Sequence, residues 1–211
     1  MKVDIIILLW EGILLERSIF LLSHSKNLLF YCITALLSLI FPFKWEQTII
    51  HVLPEKLRIF NDSPIPSIIG ICFDVDLSEF PSDSIVVNID KSTIEKYFDK
   101  LPNLPKKQFG KMLKRLDNYK SKYMNSKDFS RIEFCDEAFN VSMDINEEDK
   151  NFNSNVIREI FFDFLISHFQ SYEKYFGFKN KKSKPSEKLT FNLNLFLNDH
   201  DSTNVRFVYL A

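Results

Sequence analysis

Hydrophobic and polar positions along the first ninety residues fall into blocks of two kinds. Residues 4–15 are apolar almost all round, the pattern of a buried helix. Residues 17–23, RSIFLLS, form a short apolar run that predicts a fully buried strand. Residues 26–41 predict a second buried helix, with Ser25 at its N-cap. The β-branched stretch TIIHVL at 48–53 predicts a strand. Pro54 then opens a short helix through about Phe60, since proline is tolerated at a first helical position. DSPIP at 62–66 is extended, because a residue before proline avoids the helical region. SIIGIC at 67–72 and SIVVNID at 84–90 predict a third and a fourth strand. Strands alternating with helices predict an α/β fold: a mostly parallel sheet flanked by helices and covered on both faces, followed by a mainly helical C-terminal part.

The second half differs in texture. Residues 99–105 hold two prolines and predict a linker, which divides the chain into an α/β part at 1–98 and a helical part at 99–211. Phe109, Met112, Leu113, Leu116, Tyr119 and Tyr123 fall at helical spacing. Seven basic residues lie in 106–122 against the single Asp117, whereas 133–149 carries seven acidic residues and no basic one. A long helical stripe runs from Ile157 through Phe161, Leu165, His168 and Tyr172 to Phe176, with Asn153 or Ser154 as its cap and Gly177 closing it in a left-handed conformation. KNKKSKPSEK at 179–188 is a solvated loop. The tail from Leu189 fits helix and strand equally well.

Two apolar stretches test a membrane reading. Residues 5–15 are broken by Glu11, and 28–43 run for 16 uncharged residues, short of the roughly 20 that a spanning helix needs, with Pro42 stopping the helix before their end. Composition narrows the chemistry further. Of 211 residues 45% are hydrophobic, which excludes a fully disordered chain. The four glycines, Gly12, Gly70, Gly110 and Gly177, are too scattered for a Walker loop, a dinucleotide fingerprint or a nucleophile elbow. A net charge of −1 argues against a nucleic-acid binder. Cys32, Cys72 and Cys135 fit reduced core thiols of an intracellular protein, and neither they nor the four histidines have metal-ligand spacing. No metal and no cofactor is expected.

Four segments in order carry a resemblance: ILLERSIFLLSHS at 13–25, ALLSLIFPFKWEQTIIHVLPEKL at 35–57, DSPIPSIIGI at 62–71 and SIVVNIDKSTI at 84–94. Their marks are Glu16–Arg17 before a strand, Pro42–Phe43–x–Trp45, Leu53–Pro54, Pro64–x–Pro66 ahead of Ile69–Gly70, and a strand closing on Ile89–Asp90. Together they resemble the central part of a DENN domain, and the helical stretch at 156–178 resembles the family's downstream helical part. The resemblance implies a guanine-nucleotide exchange factor for a Rab-family small GTPase in membrane traffic. Such proteins have a longin-like lobe followed by an α/β-plus-helical lobe. The GTPase docks across both through its switch regions, and exchange proceeds by favouring the nucleotide-free state, without covalent chemistry or a cofactor. The chain begins at the helix before the first strand of this pattern, so a longin-like lobe is expected to be absent from it or supplied by a partner subunit. Asn88 stands where the pattern leads to an acidic residue. The same resemblance implies a cytoplasmic protein, peripheral on vesicle or endosomal membranes.

Asp74, Asp76 and Glu79 follow the third strand, where open α/β sheets place binding groups, and are the candidate contacts for basic groups of a GTPase; a solvated loop explains them as well. A paired-carboxylate hydrolase would need an opposing acid at a defined separation. The marks of the resemblance are expected to be structural. Trp45 packs at a helix-to-strand corner, Pro64 and Pro66 hold an extended approach to a strand, and Glu16 with Arg17 forms an exposed pair of about 0–1 kcal/mol. His51 and His168 are expected in the core. The basic helix has three readings: a solvated face, a dock for the acidic 133–149 run, or a contact with anionic lipid. Three functions stand beside one another: exchange factor, non-exchanging scaffold or adaptor, and an unrelated small-molecule α/β enzyme.

Overall fold

The computed structural model describes residues 2–97, 104, 106–123, 153–169, 172–177 and 190–199. The acidic run at 133–149, the lysine-rich 179–188, all of the linker but Leu104, and the side chain of His168 lie outside the described residues.

The chain opens with α1, Val3–Leu14, which buries Ile5, Ile7, Leu9, Trp10, Gly12 and Ile13. It ends in a Schellman motif. Glu16 adopts a left-handed φ of 49°, its amide donates to the Ile13 carbonyl at 3.0 Å, and the Arg17 amide donates to the Gly12 carbonyl at 2.9 Å. β1, Ile19–Leu22, follows. Then comes α2, Lys26–Ser38, whose Leu28 amide is capped by the Ser25 hydroxyl at 3.3 Å. β2 is Thr48–Ile50, β3 Ser67–Ile71, β4 Ile85–Asn88 and β5 Thr93–Lys96. The sheet order is β2-β3-β1-β4-β5, with the first four strands parallel and β5 antiparallel on β4. This is the mostly parallel, helix-flanked sheet that the alternation predicts. β5 escaped that reading because TIEK is half polar and almost wholly exposed; its pairing with β4 makes it a strand.

Alternation along each strand splits the interior in two. Ile19, Leu21, Ile68, Ile85 and Val87 face α1 and α2, joined there by Leu29, Ile33 and Leu36. Phe20, Ile69, Ile71 and Val86 face the other way, onto Leu53 and Phe80. Both faces are buried, but helices cover only the first. The second is closed by irregular chain with two 3₁₀ turns, Glu55–Asp62 and Leu77–Glu79. The first of these replaces the short helix expected after Pro54. The segment buries none of its apolar residues, and only Asn61 in it is buried. The second expected helix is also modified: α2 stops at Ser38 and buries one side only, leaving Phe30 47% and Tyr31 56% exposed. His51 likewise sits partly buried at the sheet margin, its ring 4.7 Å from Phe30, and not in the core.

Gly70 is fixed by close approach. A Cβ there would lie 2.0 Å from the His51 carbonyl oxygen, while the Leu53 amide bonds the Gly70 carbonyl at 2.8 Å.

α3, Lys106–Tyr123, packs on α4, Ser154–Phe169. Asn153 caps α4 through its side-chain oxygen on the Asn155 amide at 2.9 Å. Its backbone exchanges two hydrogen bonds with the Tyr119 hydroxyl, at 2.8 and 3.0 Å. α4 joins the body through Phe161 and Phe164, edge-on to the fully buried Trp10 of α1 at 5.1 and 5.4 Å. The stripe expected to continue to Phe176 breaks after Phe169. Tyr172–Tyr175 is a 3₁₀ turn, and Phe176–Gly177 is strand β6, paired with β7 at Thr190–Phe191. Gly177 has no left-handed φ and closes no helix. The ambiguous tail is strand and then helix, α5 at Leu193–Asp199, which packs Phe196 edge-on to Tyr175 at 4.9 Å. Among the described residues no helix is long and apolar enough to cross a membrane.

Candidate functional site

From the central strand β1 the chain runs to β2 and β3 on one side and then to β4 on the other. Such a reversal opens a crevice at the carboxyl ends of parallel strands. Here a cavity of about 260 Å³ lies there, lined by Ser23 and His24 after β1, Cys72–Val75 after β3, Asn88 at the end of β4, Asp90 and Lys91 after it, and Glu95 on β5. Its floor is built by one carboxylate. Asp90 accepts from the Ser23 hydroxyl at 2.6 Å and from the His24 amide at 2.8 Å, tying the turn after β4 to the turn after β1. Ser23 in turn accepts from the Ser25 amide at 3.0 Å, which sets the residue that caps α2. Asn88 accepts from the Lys91 amide at 2.9 Å and so shapes the turn into β5.

The loop leaving β3 carries the three candidate carboxylates, and the structure gives them different surroundings. Asp74 is exposed and lines the crevice. Asp76 caps the 3₁₀ turn; hydrogen bonds from the Ser78 amide and then the Ser78 hydroxyl hold its carboxyl below the usual range. Glu79 returns a hydrogen bond to the Asp76 amide at 3.0 Å, completing a capping box, and takes Arg58 at 3.2 Å and the Asn61 side-chain amide at 3.2 Å. Asp76 and Glu79 are therefore committed to local bonds, and Asp74 is the carboxylate directed at the cavity.

Arg58 is the key to this cover. Besides Glu79 it reaches the Asp74 carbonyl and lies over the Phe73 ring, 5.1 Å from its centroid. Lys96 adds a second tie, donating to the carbonyls of Leu77 at 3.2 Å and Phe80 at 2.6 Å. Arg58 holds 55–62 against 73–79 and Lys96 holds 77–80 against β5, while Leu57, Ile59 and Phe60 point outward, Ile59 with 83% of its surface exposed. Leu77 is exposed on the neighbouring turn. Contiguous exposed apolar side chains of this kind mark interaction surfaces. The site offers shape and apolar contact, rimmed by acids that already serve as hydrogen-bond acceptors. Neither Arg58 nor Lys96 was a sequence candidate. The available signal was an apolar triad, Leu57, Ile59 and Phe60, in a short segment confined between Pro54 and Pro64.

The other marked positions lie in the frame. Arg17 pairs with Asp83 at 3.3 Å and not with Glu16, whose left-handed backbone turns the chain between them. Pro42 is exposed after a cis bond from Phe41, and Phe43 packs partly against the main core. Trp45 is buried and donates to the Thr48 carbonyl at 3.3 Å. Pro54 sits at the N-cap of the first 3₁₀ turn; Pro64 is exposed and Pro66 partly buried just ahead of β3. Two titratable groups on the helix side are perturbed. Burial pushes the Glu11 carboxyl up to about 7 and raises the Cys32 thiol.

Residues 1–92, which span α1 through β4, match the DENN (AEX-3) domain family. The chain is 38% identical over 97 residues to "Elicitor of plant defense protein 1" of Fusarium odoratissimum, covering 45% of this chain and 10% of that protein. It is 32% identical over 110 residues to "DENN domain and WD repeat-containing protein SCD1" of Arabidopsis thaliana, covering 52% and 9%. It is 32% identical over 100 residues to human "DENN domain-containing protein 1B", covering 46% and 13%. The chain thus spans about a tenth of the length of the curated relatives it matches.

Proposed function

We propose that this chain is a DENN-type regulatory protein that binds a Rab-family small GTPase and promotes its GDP/GTP exchange, at the cytoplasmic side of vesicle or endosomal membranes. The observation that carries this reading is the DENN match over residues 1–92, since DENN domains are generally associated with Rab exchange. The docking side proposed is the loop-covered face, where Leu57, Ile59, Phe60 and Leu77 are exposed beside the crevice that Asp74 lines. Apolar side chains there meet the switch regions, and Asp74 meets a basic group of the GTPase. The chain acts on its partner's nucleotide, so its own part is to favour the nucleotide-free conformation by binding it more tightly. A longin-like lobe or partner subunit completes the docking surface.

The test is release of labelled GDP from a panel of Rab-family GTPases, with the full chain alone and with a longin-like lobe added. Release accelerated at one or more members, and lost in Ile59→Asp, supports the proposal. Unchanged release together with no binding to nucleotide-free forms refutes it. A second reading is a scaffold or adaptor without exchange activity. Binding with unchanged release selects it.

A further inference from the structure

α3 presents two unlike sides. Met112, Leu116 and Tyr119 are buried, and Arg115 turns to Asp163 of α4 at 2.5 Å. On the side away from these, Lys107, Lys111 and Lys114 are all exposed. Their spacing of four and three residues stacks them on successive turns of one face, over about 10 Å of helix. None of the three has an ion-pair partner among the described residues, and Asp117 is the sole acid of the helix. Like charges on adjacent turns repel, so the row weakens the helix that carries it. The hydroxyl of Tyr119, clamped to the backbone of Asn153, fixes how the helix is turned and hence where the row points. The chain as a whole has a net charge of −1, so the row is a local concentration of charge.

We propose that this lysine face of α3 is a peripheral contact with an anionic bilayer surface. The chemistry of the row selects that partner. Lysine ammoniums are compact, strongly hydrated point charges, suited to diffuse attraction to a charged surface and unlike the planar fork that binds a carboxylate or phosphate two-pronged. Protein interfaces are poor in lysine and need an apolar centre. The apolar residues between them in sequence, Phe109, Met112 and Leu113, turn toward the packed side, and the row's own neighbours on the helix, Gly110 and Asn118, supply none. A charged bilayer requires no such centre, only proximity within a Debye length. Three lysines at the surface give on the order of a hundredfold preference for anionic over neutral vesicles at low salt, which fades as salt rises. Attraction of that size is one of two signals; the docked partner supplies the other. The contact does not depend on the proposed exchange activity, since it uses a different helix and needs no GTPase.

The experiment is sedimentation of the full chain with phosphatidylserine-rich vesicles and, separately, with phosphatidylcholine vesicles. The wild-type chain is expected to sediment with the first and not the second, and to be released by salt. The triple reversal Lys107→Glu/Lys111→Glu/Lys114→Glu, on exposed positions and checked by circular dichroism for unchanged helix content, is expected to abolish sedimentation. No sedimentation of the wild type overturns the proposal, as does sedimentation that the triple reversal leaves intact. Sedimentation that begins only after the acids of 133–149 are replaced by their amides overturns it too, and assigns the face to that acidic run.

Discussion

The two faces of the sheet are closed by different physics. On one, α1 and α2 lay apolar stripes over Ile19, Leu21, Ile68, Ile85 and Val87, and α4 adds two phenylalanines against Trp10. This closure is non-directional, and its worth follows apolar area. On the other, a short apolar patch built on Phe20, Ile69 and Val86 is covered by chain that has little helix and leans on a few polar ties: Arg58, Lys96, and the Asp76–Glu79 capping box. Exposed ties of this kind contribute little each. The first face therefore sets global stability. The second is where local opening and partner binding are expected, because segments that bind are drawn from the low-stability end of a fold.

The comparison can be broken at its strongest point first. Trp10→Ala removes the hub between α1 and α4 and is expected to cost about 3–5 kcal/mol in denaturant unfolding. Gly70→Ala drives a Cβ onto the His51 carbonyl, a backbone atom that cannot turn aside, and is expected to cost about 3 kcal/mol with β2 loosened. Arg58→Ala belongs to the other face. It is expected to cost only about 1 kcal/mol globally while raising amide exchange and proteolysis selectively within 53–62 and 72–80. A global loss as large as that of Trp10→Ala would mean that the faces do not differ in kind.

Two smaller effects sharpen the picture of α1. The Glu11 carboxyl titrates near 7 in the folded chain against 4.5 when free, because burial disfavours its charge. The folded state therefore holds that proton more tightly, and stability is highest below the free value and falls as pH rises through 7. Glu11→Gln is expected to match the wild type at acid pH and to exceed it by about 1–2 kcal/mol at mildly alkaline pH, a figure reduced from the full shift for the group's partial exposure. Thermal melts across that pH range check it. Glu16→Gly relieves a left-handed backbone and is expected to stabilise by about 0.5 kcal/mol, read from the same melts.

Sequence legibility followed the same division. β1 and β3 are continuous apolar runs and α1 is apolar on nearly every side, and such patterns are fixed by composition before any contact is known. The Ser25 and Asn153 caps were equally readable, being local. β5 and the 3₁₀ turn at 55–62 were not: β5 is half polar and becomes a strand only through its pairing with the neighbouring β4, and the turn depends on Glu79, well downstream. Phe176 ended a helical stripe on paper with Gly177 as its closing residue, but pairing with Phe191 and Thr190 won. At the candidate site the loop after β3 was found by position in the sheet. That Asp76 and Glu79 are occupied while Asp74 lines the crevice required the fold, since Arg58 lies far upstream of the acids it organises.

Hydrogen exchange of the full chain, alone and with a nucleotide-free Rab-family GTPase, tests the central claim most directly. New protection confined to 53–62 and 72–80, with α1 and α2 unchanged, is the predicted result. Protection that falls on the exposed side of α2 around Phe30 and Tyr31, or no protection with any member of the family, would contradict it.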